Sequence, residues 1–303
     1  MPKLGKHNHK HGHTKHILLF ISVTVIWGGG FLITNDLVHA QVPVLFLTAV
    51  RFAIGSGFLA LFRLFSPGKA AFSRAEWKQG FLLGLVIFAA FALQTYGALY
   101  TTPGKNGMLT GLHVIFVPLL LLHRRKMRAK PFIDAGICLV GVMILSNIFG
   151  ERLALNLGDI LVIFCALVFA VQFLILEKHA PTLHTLHYVI AQLATVAAVA
   201  VVASLLFEMP AYARLRLDLA IILKLLFLGL LSTGYAYIVQ TFVQTKLPAT
   251  TVSLLSCLES VFAVIFSLLF GYEAFSLHLV VGALVIAAAM VSALVWPGGR
   301  RRL

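Results

Sequence analysis

Long runs of apolar residues recur along almost the whole chain, with short polar stretches between them. A helix needs about 20 residues to cross the hydrocarbon core of a bilayer. Ten runs have roughly this length, so the pattern predicts an all-α membrane protein with ten transmembrane helices and short loops. The predicted spans are 17–36, 43–64, 77–99, 103–123, 131–149, 157–177, 184–207, 219–242, 248–270 and 276–296.

The ninth run carries a carboxylate, Glu259, near its middle. A carboxylate at the bilayer centre costs roughly 2.5–3.5 kcal/mol on insertion scales, so it needs a partner or a function there. Helical periodicity predicts that a small and polar face beside Glu259 points into the protein and that the opposite face points to lipid. The first face has Ser253, Ser256, Ser260, Ala263 and Ser267, and the second has Leu254, Leu258, Val261, Ile265 and Leu268.

Other predicted spans carry polar side chains at helical spacing. One such side chain is typical of a hydrogen bond between helices, whereas several facing stripes predict a polar cavity. In the fourth run Pro118 also predicts a kink. The polar positions are Gln94; Asn106, Thr110 and His113; Gln172; Gln192; and Thr233, Tyr237, Gln240 and Gln244.

Two of the buried basic positions have open interpretations. His113 is either a hydrogen-bonded core residue or a proton carrier. Arg51 in the second run is a snorkelling residue, a structural partner for a carboxylate or a substrate contact.

Composition excludes a soluble domain and a nucleic-acid partner. The 303 residues are 60% hydrophobic and 11% charged, with a mean hydropathy of +0.97, which leaves too little polar surface for a soluble fold. Most of the 24 lysines and arginines cluster in segments such as the N-terminal tail and 124–130. These basic segments fall mostly on one side of the predicted membrane, and they account for much of the net charge of +14. Basic loops usually lie in the cytoplasm, so both termini are expected there. The expected membrane is a bacterial inner membrane. The loop 208–218 fits less well, because it places two arginines outside.

The tails and the cysteines carry no predicted chemistry. Residues 1–16 form a basic tail with histidines at alternate positions, which can bind transition metals but is expected to be a disordered tail or a tag. Residues 298–303 form a second basic tail. The three cysteines, Cys138, Cys165 and Cys257, lie in apolar runs and are expected to be buried without disulfides. The first run shows no cleavage site and is expected to remain as an anchor.

The two halves of the chain repeat each other. Pro103-Gly104 opens the fourth run and Pro248-Ala249 opens the ninth, and matching motifs are separated by 142 to 146 residues. Repeats at 17–149 and 157–297 would have five spans each, and an odd number places the two copies in opposite orientations. Inverted repeats with a substrate site at mid-membrane are typical of secondary transporters.

Short motifs also occur in a fixed order along the chain. They are Trp27-Gly28, Ala49-Val50-Arg51-Phe52, Leu109-Thr110-Gly111-Leu112-His113 with Val117-Pro118, Leu157-Gly158-Asp159, the run from Ser232 to Gln244, Leu258-Glu259 and Gly271-Tyr272-Glu273. In these motifs the chain resembles the EamA family of the drug/metabolite transporter superfamily from about residue 17 to 296. The resemblance implies a ten-span inverted-repeat exporter of small metabolites with a central cavity. The family usually has Glu-Pro where this chain has Glu259-Ser260, so the kink of that proline is not expected here.

The leading hypothesis is a secondary transporter that exports small metabolites, amino acids or drugs by alternating access around a mid-membrane cavity. Glu259 would couple protons or bind substrate, and Arg51 would hold a carboxylate in place. The expected partners are a small-molecule substrate and the lipid bilayer, with no cofactor except a coupled proton, and the protein would be a monomer or homodimer. The expected substrate- or proton-binding residues are Trp27, Arg51, Gln94, Asn106, Thr110, His113, Gln172, Tyr237, Gln240, Ser256 and Glu259.

Three other functional classes are alternatives to a transporter. An intramembrane enzyme is disfavoured, because the stretch ending at Asp159 lacks the first glycine of a Gly-x-Gly-Asp site and Glu259 has no second intramembrane carboxylate. A channel and a sensor or scaffold remain alternatives, although no ring of like charges is evident. Saturable exchange across the membrane would distinguish a carrier from a channel.

Overall fold

The computed structural model describes residues 7–65, 71–122, 129–145, 155–272 and 274–295, and these residues form helices, turns and loops without a strand. The α-helices are numbered in chain order. They are α1 (His7–His39), α2 (Val44–Phe65), α3 (Arg74–Gly97), α4 (Pro103–Thr110), α5 (His113–Leu122), α6 (Lys130–Leu145), α7 (Leu157–His179), α8 (Thr185–Phe207), α9 (Leu219–Phe227), α10 (Ala236–Gln244), α11 (Ala249–Ser256), α12 (Leu258–Leu269) and α13 (Leu277–Val295).

Eight helical stretches of the described chain are long and apolar enough to cross a membrane. Consecutive helices combine in three of them, which are α4 with α5, α9 with α10, and α11 with α12. These eight stretches confirm eight of the predicted spans. The fifth predicted run corresponds to α6, which has 16 residues, and the tenth corresponds to α13, whose apolar part Leu277–Ala293 is shorter than the other spans.

Two of the spans are interrupted near their middle, where no proline lies. In the fourth span the amide of Leu112 donates to the carbonyl of Leu109 at 3.2 Å. In the ninth span the amide of Cys257 donates to the carbonyl of Leu254, also at 3.2 Å. These tighter i to i−3 bonds separate α4 from α5 and α11 from α12. Pro118 lies within α5, seven residues after the interruption at Gly111, and a kink at this proline stays a prediction.

The ninth span also differs from its expected straight form. The absence of a proline after Glu259 predicted no kink, but α11 ends at Ser256 and α12 begins at Leu258. Tight packing accompanies this interruption. The Ser260 hydroxyl donates to the carbonyl of Gly107 in α4 at 2.8 Å, which fixes the two interrupted spans against each other.

The inward face of the ninth span is confirmed. Ser253, Ser256, Ser260, Ala263 and Ser267 are all fully buried. On the opposite face Ile265 is exposed, as expected for a lipid-facing position. Leu258, Val261 and Leu268 are half-buried, and Leu254 is buried in an apolar core that also contains residues of α5 and α13. The prediction that Leu254 faces lipid was therefore wrong.

A π-helical segment, Leu228–Tyr235, joins α9 to α10 and packs closely on α2. A side chain on Gly55 would lie 3.0 Å from the carbonyl oxygen of Gly229, and one on Gly229 would lie 2.5 Å from the Cβ atom of Ile54. Glycine at both positions lets the two backbones approach, as is usual where membrane helices pack tightly. This approach brings Arg51 of α2 against the π-helical segment.

The helix ends gather at two opposite faces of the bundle. At the first, which we name the Asp36 face, Lys224 of α9 contacts Asp36 of α1, and Glu208 after α8 accepts hydrogen bonds from the amide of Leu45 at the start of α2. The opposite face, which we name the Pro248 face, contains the start of α11 and the ends of α7 and α10. These two faces define the directions in which the central cavity can open.

Some predictions fall on the parts of the chain that are not described. The segments 1–6, 66–70, 123–128, 146–154 and 296–303 and position 273 lie outside the described residues, and they include the second basic tail and most of the basic run 124–130. Residues 7–16 of the first tail, which was expected to be disordered, form the start of α1. The prediction for the cysteines is confirmed, since Cys138, Cys165 and Cys257 are buried and free.

Candidate functional site

A narrow cavity lies in the centre of the bundle. The centres of water molecules could occupy about 50 Å³ of it, which is room for a few waters. Seventeen residues from nine helical elements line it. They are Trp27, Gly30, Phe31, Thr34, Arg51, Phe91, Gln94, Asn106, Thr110, His113, Phe169, Gln172, Phe173, Ser232, Tyr237, Gln240 and Glu259.

The structure brings almost all of the predicted site residues together around this cavity. Ser256 is the exception, because its hydroxyl is buried and donates to the carbonyl of Val252 in its own helix at 3.0 Å. The sequence analysis missed some residues that line the cavity. The spacing of polar residues did not identify Thr34. Phe91 and Phe169 were missed because nothing in the sequence distinguishes them from phenylalanines that face lipid. Gln192 is buried but does not line the cavity.

Glu259 and His113 meet at the cavity wall. Nε2 of His113 lies 3.8 Å from Oε1 of Glu259, and both side chains are almost completely buried. Nδ1 of His113 has no hydrogen-bond partner among the described residues. Each residue stands two positions after the residue where its span is interrupted, Gly111 in one case and Cys257 in the other. This distance is too long for a hydrogen bond, but it is short enough for the charge on either group to influence the other.

The crossing of the two interrupted spans sets this geometry. The thiol of Cys257 lies 3.6 Å from the carbonyl oxygen of Gly111, and a side chain on Gly111 would lie 3.0 Å from the Ser260 hydroxyl. Gly107 likewise leaves no room, because an added Cβ atom would lie 3.0 Å from that of Ala263. Small residues therefore allow α4 and α12 to touch, and this close approach places the two titratable side chains next to each other.

Arg51 occupies another wall of the cavity. Its Nε donates to the Thr233 hydroxyl at 3.1 Å and its Nη2 to the Ser232 hydroxyl at 3.0 Å. The guanidinium carbon lies 4.6 Å from the ring centre of Phe91. The prediction that Arg51 holds a carboxylate of the protein was wrong, because none lies within 4 Å of it among the described residues. The π-helical segment supplies hydroxyls in place of that carboxylate.

An amide and hydroxyl network forms a third wall. Nδ2 of Asn106 donates to the carbonyl of Gln94 at 3.2 Å, and Nε2 of Gln94 donates to the Thr110 hydroxyl at 3.1 Å. These bonds tie α4 to α3. Oδ1 of Asn106 is buried and has no partner among the described residues, so an acceptor is left unused at the cavity.

Aromatic rings and an amide pair border the cavity along α10. The ring of Tyr237 lies 6.0 Å from that of Phe52 and 6.2 Å from that of Trp27. One turn further along α10, Nε2 of Gln172 donates to Oε1 of Gln240 at 3.2 Å. Together these contacts bring α1, α2, α7 and α10 into one layer.

A second cavity of about 500 Å³ lies on the other side of this layer, at the Pro248 face. Gln244 lines the second cavity, whereas Gln240, four residues earlier on the same helix, lines the first. Four residues of helix rise by about 6 Å, so the barrier between the two cavities is about one helical turn thick at this point. Nε2 of Gln244 donates to the carbonyl of Phe173 at 2.9 Å and strengthens that barrier.

Polar contacts hold the helix ends together at the Asp36 face. Nζ of Lys224 lies 2.7 Å from Asp36, and Tyr272 donates a hydrogen bond to the same carboxylate. This hydrogen bond raises the pKa of the Tyr272 phenol to about 12. Nearby, Lys105 contacts Asp159 at 2.7 Å. These contacts connect the ends of helices from both halves of the chain.

The carboxylate of Asp159 has a structural role in the fold. It accepts a hydrogen bond from the amide of Asn156 at 3.0 Å, and the Asn156 side chain accepts one from the amide of Asp159 at 2.9 Å, which caps α7. The described residues contain no group of three or more metal-binding side chains. Of the described residues, those around the central cavity therefore remain the main candidates for function.

Comparison with known proteins supports a transport role for the family of this chain. The model of the EamA-like transporter family matches residues 14–147 and again residues 156–295. An uncharacterized transporter of Archaeoglobus fulgidus is 27% identical over 275 residues, which cover 89% of this chain and 82% of that protein. The uncharacterized transporter YoaV of Bacillus subtilis is 25% identical over 283 residues, which cover 91% of this chain and 95% of that protein.

A solved crystal structure shares the fold, with a TM-score of 0.72 and 18% sequence identity over 93% of this chain and 96% of that one. Since the family model matches both halves of the sequence, this protein belongs to the EamA-like transporter family, within the drug/metabolite transporter superfamily.

Proposed function

We propose that this protein is a secondary-active transporter that exports small metabolites, amino acids or drugs by alternating access. The observation that carries this proposal is the pair of separate cavities described above. A carrier must never connect both sides of the membrane at once, and here a barrier of about one helical turn separates the central cavity from the one at the Pro248 face.

The repeat structure supports the same proposal. Two matches of one family model along a single chain favour an internal duplication, here proposed as repeats 17–149 and 157–297 with five spans each. His113 and Glu259 occupy matching positions after the two interruptions. If the two halves have opposite orientations and rock against each other, both interruptions lie where the halves meet. In this arrangement the Asp36 face is outside, and both termini lie in the cytoplasm of a bacterial inner membrane.

Glu259 is the proposed proton-coupling group. It is the sole carboxylate among the described residues that line the central cavity, and His113 is its titratable neighbour. A proton on Glu259 removes a buried charge, so protonation favours the conformation in which this carboxylate is most enclosed. Transport of the substrate is then coupled to transport of the proton if the protein binds the two in different conformations.

Counterflow in proteoliposomes tests the transport function. Vesicles are loaded with a mixture of unlabelled amino acids, metabolites or hydrophobic cations, and the labelled member of each set is added outside. A carrier accumulates the labelled compound transiently and saturates with concentration. Flux that does not saturate and shows no exchange would favour a channel, and absence of flux for every compound would favour a sensor or scaffold.

A further inference from the structure

A cluster of ionisable side chains joins α2, α3 and α8 outside the central cavity. Nε of Arg63, at the end of α2, donates to Nε2 of His187 in the first turn of α8 at 3.0 Å. Nδ1 of the same imidazole lies 3.1 Å from Oε2 of Glu76 in α3. The imidazole and the carboxylate are both buried. The start of α2 and the end of α8 meet beside Glu208 at the Asp36 face, so this cluster lies at the opposite, Pro248 face.

The two partners of His187 determine its protonation state. A guanidinium only donates hydrogen bonds, so Nε2 of the imidazole must accept from Arg63. The Glu76 carboxylate also accepts from the backbone amides of Ser73 and His184, so it has only acceptor roles here and Nδ1 must carry the hydrogen. The imidazole is therefore neutral, in one fixed tautomer. A proton added to Nε2 would face the N–H of the guanidinium, and two positive charges would replace a hydrogen bond.

The end of α2 depends on this hydrogen bond for its attachment. Leu59 is buried in the apolar core that also contains residues of α3 and α8. Of the six residues that follow it in α2, five are exposed and Arg63 alone is half-buried. The ring of Phe72 stacks on His187 at a centre-to-centre distance of 4.2 Å and lies 4.7 Å from the guanidinium carbon, so it contacts both members of the hydrogen bond. Loss of the bond would release the last turn and a half of α2.

The other ionisable groups near the imidazole lie further from its two nitrogens. On α8 itself, the ring of His184 is exposed and its centre lies 4.4 Å from that of the imidazole. On α3, Arg74 and Lys78 are exposed. On α10, which also packs against α8, the sole ionisable residue is Tyr237 at the central cavity, and the turn Met209–Arg214 packs at the far end of α8. The guanidinium and the carboxylate therefore dominate the response to a proton.

We propose that Arg63, His187 and Glu76 form a pH-sensitive clamp between the two halves of the chain. The first two groups of the triad in sequence, on α2 and α3, belong to the first half, and the imidazole belongs to the second. While the imidazole is neutral, it holds the end of α2 on α8. When it gains a proton, it repels the guanidinium, that end detaches, and the bundle loosens at the Pro248 face. The clamp thus stabilises the protein above the titration of the imidazole, and this stabilisation is lost as the pH falls through it.

A distance measurement on the purified full-length protein in detergent tests the clamp. Spin labels are attached to Leu64→Cys at the end of α2 and to Thr182→Cys just before α8, since both positions are exposed and the native cysteines are buried. Pulsed electron paramagnetic resonance then gives the distance between the labels at about pH 8 and about pH 5.5, on either side of an ordinary imidazole titration. We expect the mean distance to increase by about 5 Å, roughly one helical turn, at the lower pH.

Variants in the labelled protein assign the response to the imidazole. The amide of His187→Gln can donate to Glu76 and accept from Arg63 but cannot titrate, so the distance should not change with pH. Its midpoint of thermal unfolding should also fall less than that of wild type between the two pH values, by about 3 °C. Arg63→Gln removes the opposing charge and should abolish the change in distance as well. His184→Gln is the matched control, because it removes the neighbouring exposed histidine, and it should respond as wild type does.

The possible results separate the clamp from the transport function. A constant distance in wild type would overturn the proposal, and so would an equal increase in His187→Gln or the loss of the increase in His184→Gln. If His187→Gln does not fold, wild type and Arg63→Gln decide, since equal responses of these two proteins would contradict the clamp. The clamp goes beyond the proposed transport function and needs no substrate. Counterflow without a change in distance would therefore leave a carrier without a clamp, and the reverse result would leave the clamp without a carrier.

Discussion

Nε2 of His113 and Oε1 of Glu259 lie 3.8 Å apart, although the two residues belong to different halves of the chain. Each residue follows the interruption of its own span by the same number of positions. If the two halves rock against each other as proposed, the distance between these two atoms changes. The pair would then report on the proposed transport cycle.

Glu259→Gln should abolish the dependence of transport on a proton gradient. The amide keeps the size of the side chain but cannot titrate, so exchange of substrate should persist while proton-driven accumulation falls about tenfold or more, a change of roughly 1.4 kcal/mol. Proteoliposomes with and without a pH gradient give both rates. Ser253→Ala is a control on the same span, because its hydroxyl donates to the carbonyl of Thr250 in its own helix and the carboxylate stays in place. A pH dependence equal to that of wild type would remove Glu259 from the coupling mechanism.

His113→Gln should act through Glu259. If the two side chains work as one unit, their effects are not additive, so the double variant His113→Gln/Glu259→Gln should transport no worse than Glu259→Gln alone. Proton-driven transport is measured for wild type, the two single variants and the double variant, which together form a double-mutant cycle. Effects that simply multiply would show that the histidine acts independently and that the contact is structural.

Gly55→Ala should destabilise the protein, whereas Gly57→Ala should not. A methyl group at position 55 would lie 2.9 Å from Cγ2 of Thr233 and 3.0 Å from the carbonyl of Gly229, while one at position 57 meets nothing within 4 Å. Overpacking of this kind typically costs about 1–3 kcal/mol. Thermal unfolding in detergent measures the difference between two changes on the same helix. Because Thr233 holds Arg51, substrate affinity should also fall in Gly55→Ala alone.

Cysteine accessibility should locate the barrier between the two cavities. Gln244→Cys faces the cavity at the Pro248 face and should react with a maleimide added from that side, while Gln240→Cys, one turn deeper, should react far more slowly. The native cysteines are buried, so the wild-type protein provides the background. Unfolding in detergent should make both positions reactive. Equal rates at both positions in the folded protein would mean that the barrier is not there.

Much of the architecture follows from local properties of the sequence. The length of the apolar runs predicted ten spans, of which the structure confirms eight, because crossing a bilayer fixes the number of residues that a helix needs. The period of the polar residues predicted which side of the fourth, eighth and ninth spans is buried. The same reasoning identified four of the candidate site residues, because polar groups in a membrane protein turn away from lipid. These residues are Asn106, His113, Gln240 and Glu259, and all are buried.

The tertiary structure alone decided which of these residues meet and how the helices bend. The interruptions at Gly111 and Cys257 coincide with the close crossing of two spans, whose contacting residues are 146 positions apart in the sequence. Arg51 has hydroxyl partners because glycines allow α2 to approach a π-helical segment that no local pattern predicted. Local periodicity determines which face of a helix is buried, whereas the neighbours of that face depend on contacts between distant parts of the chain.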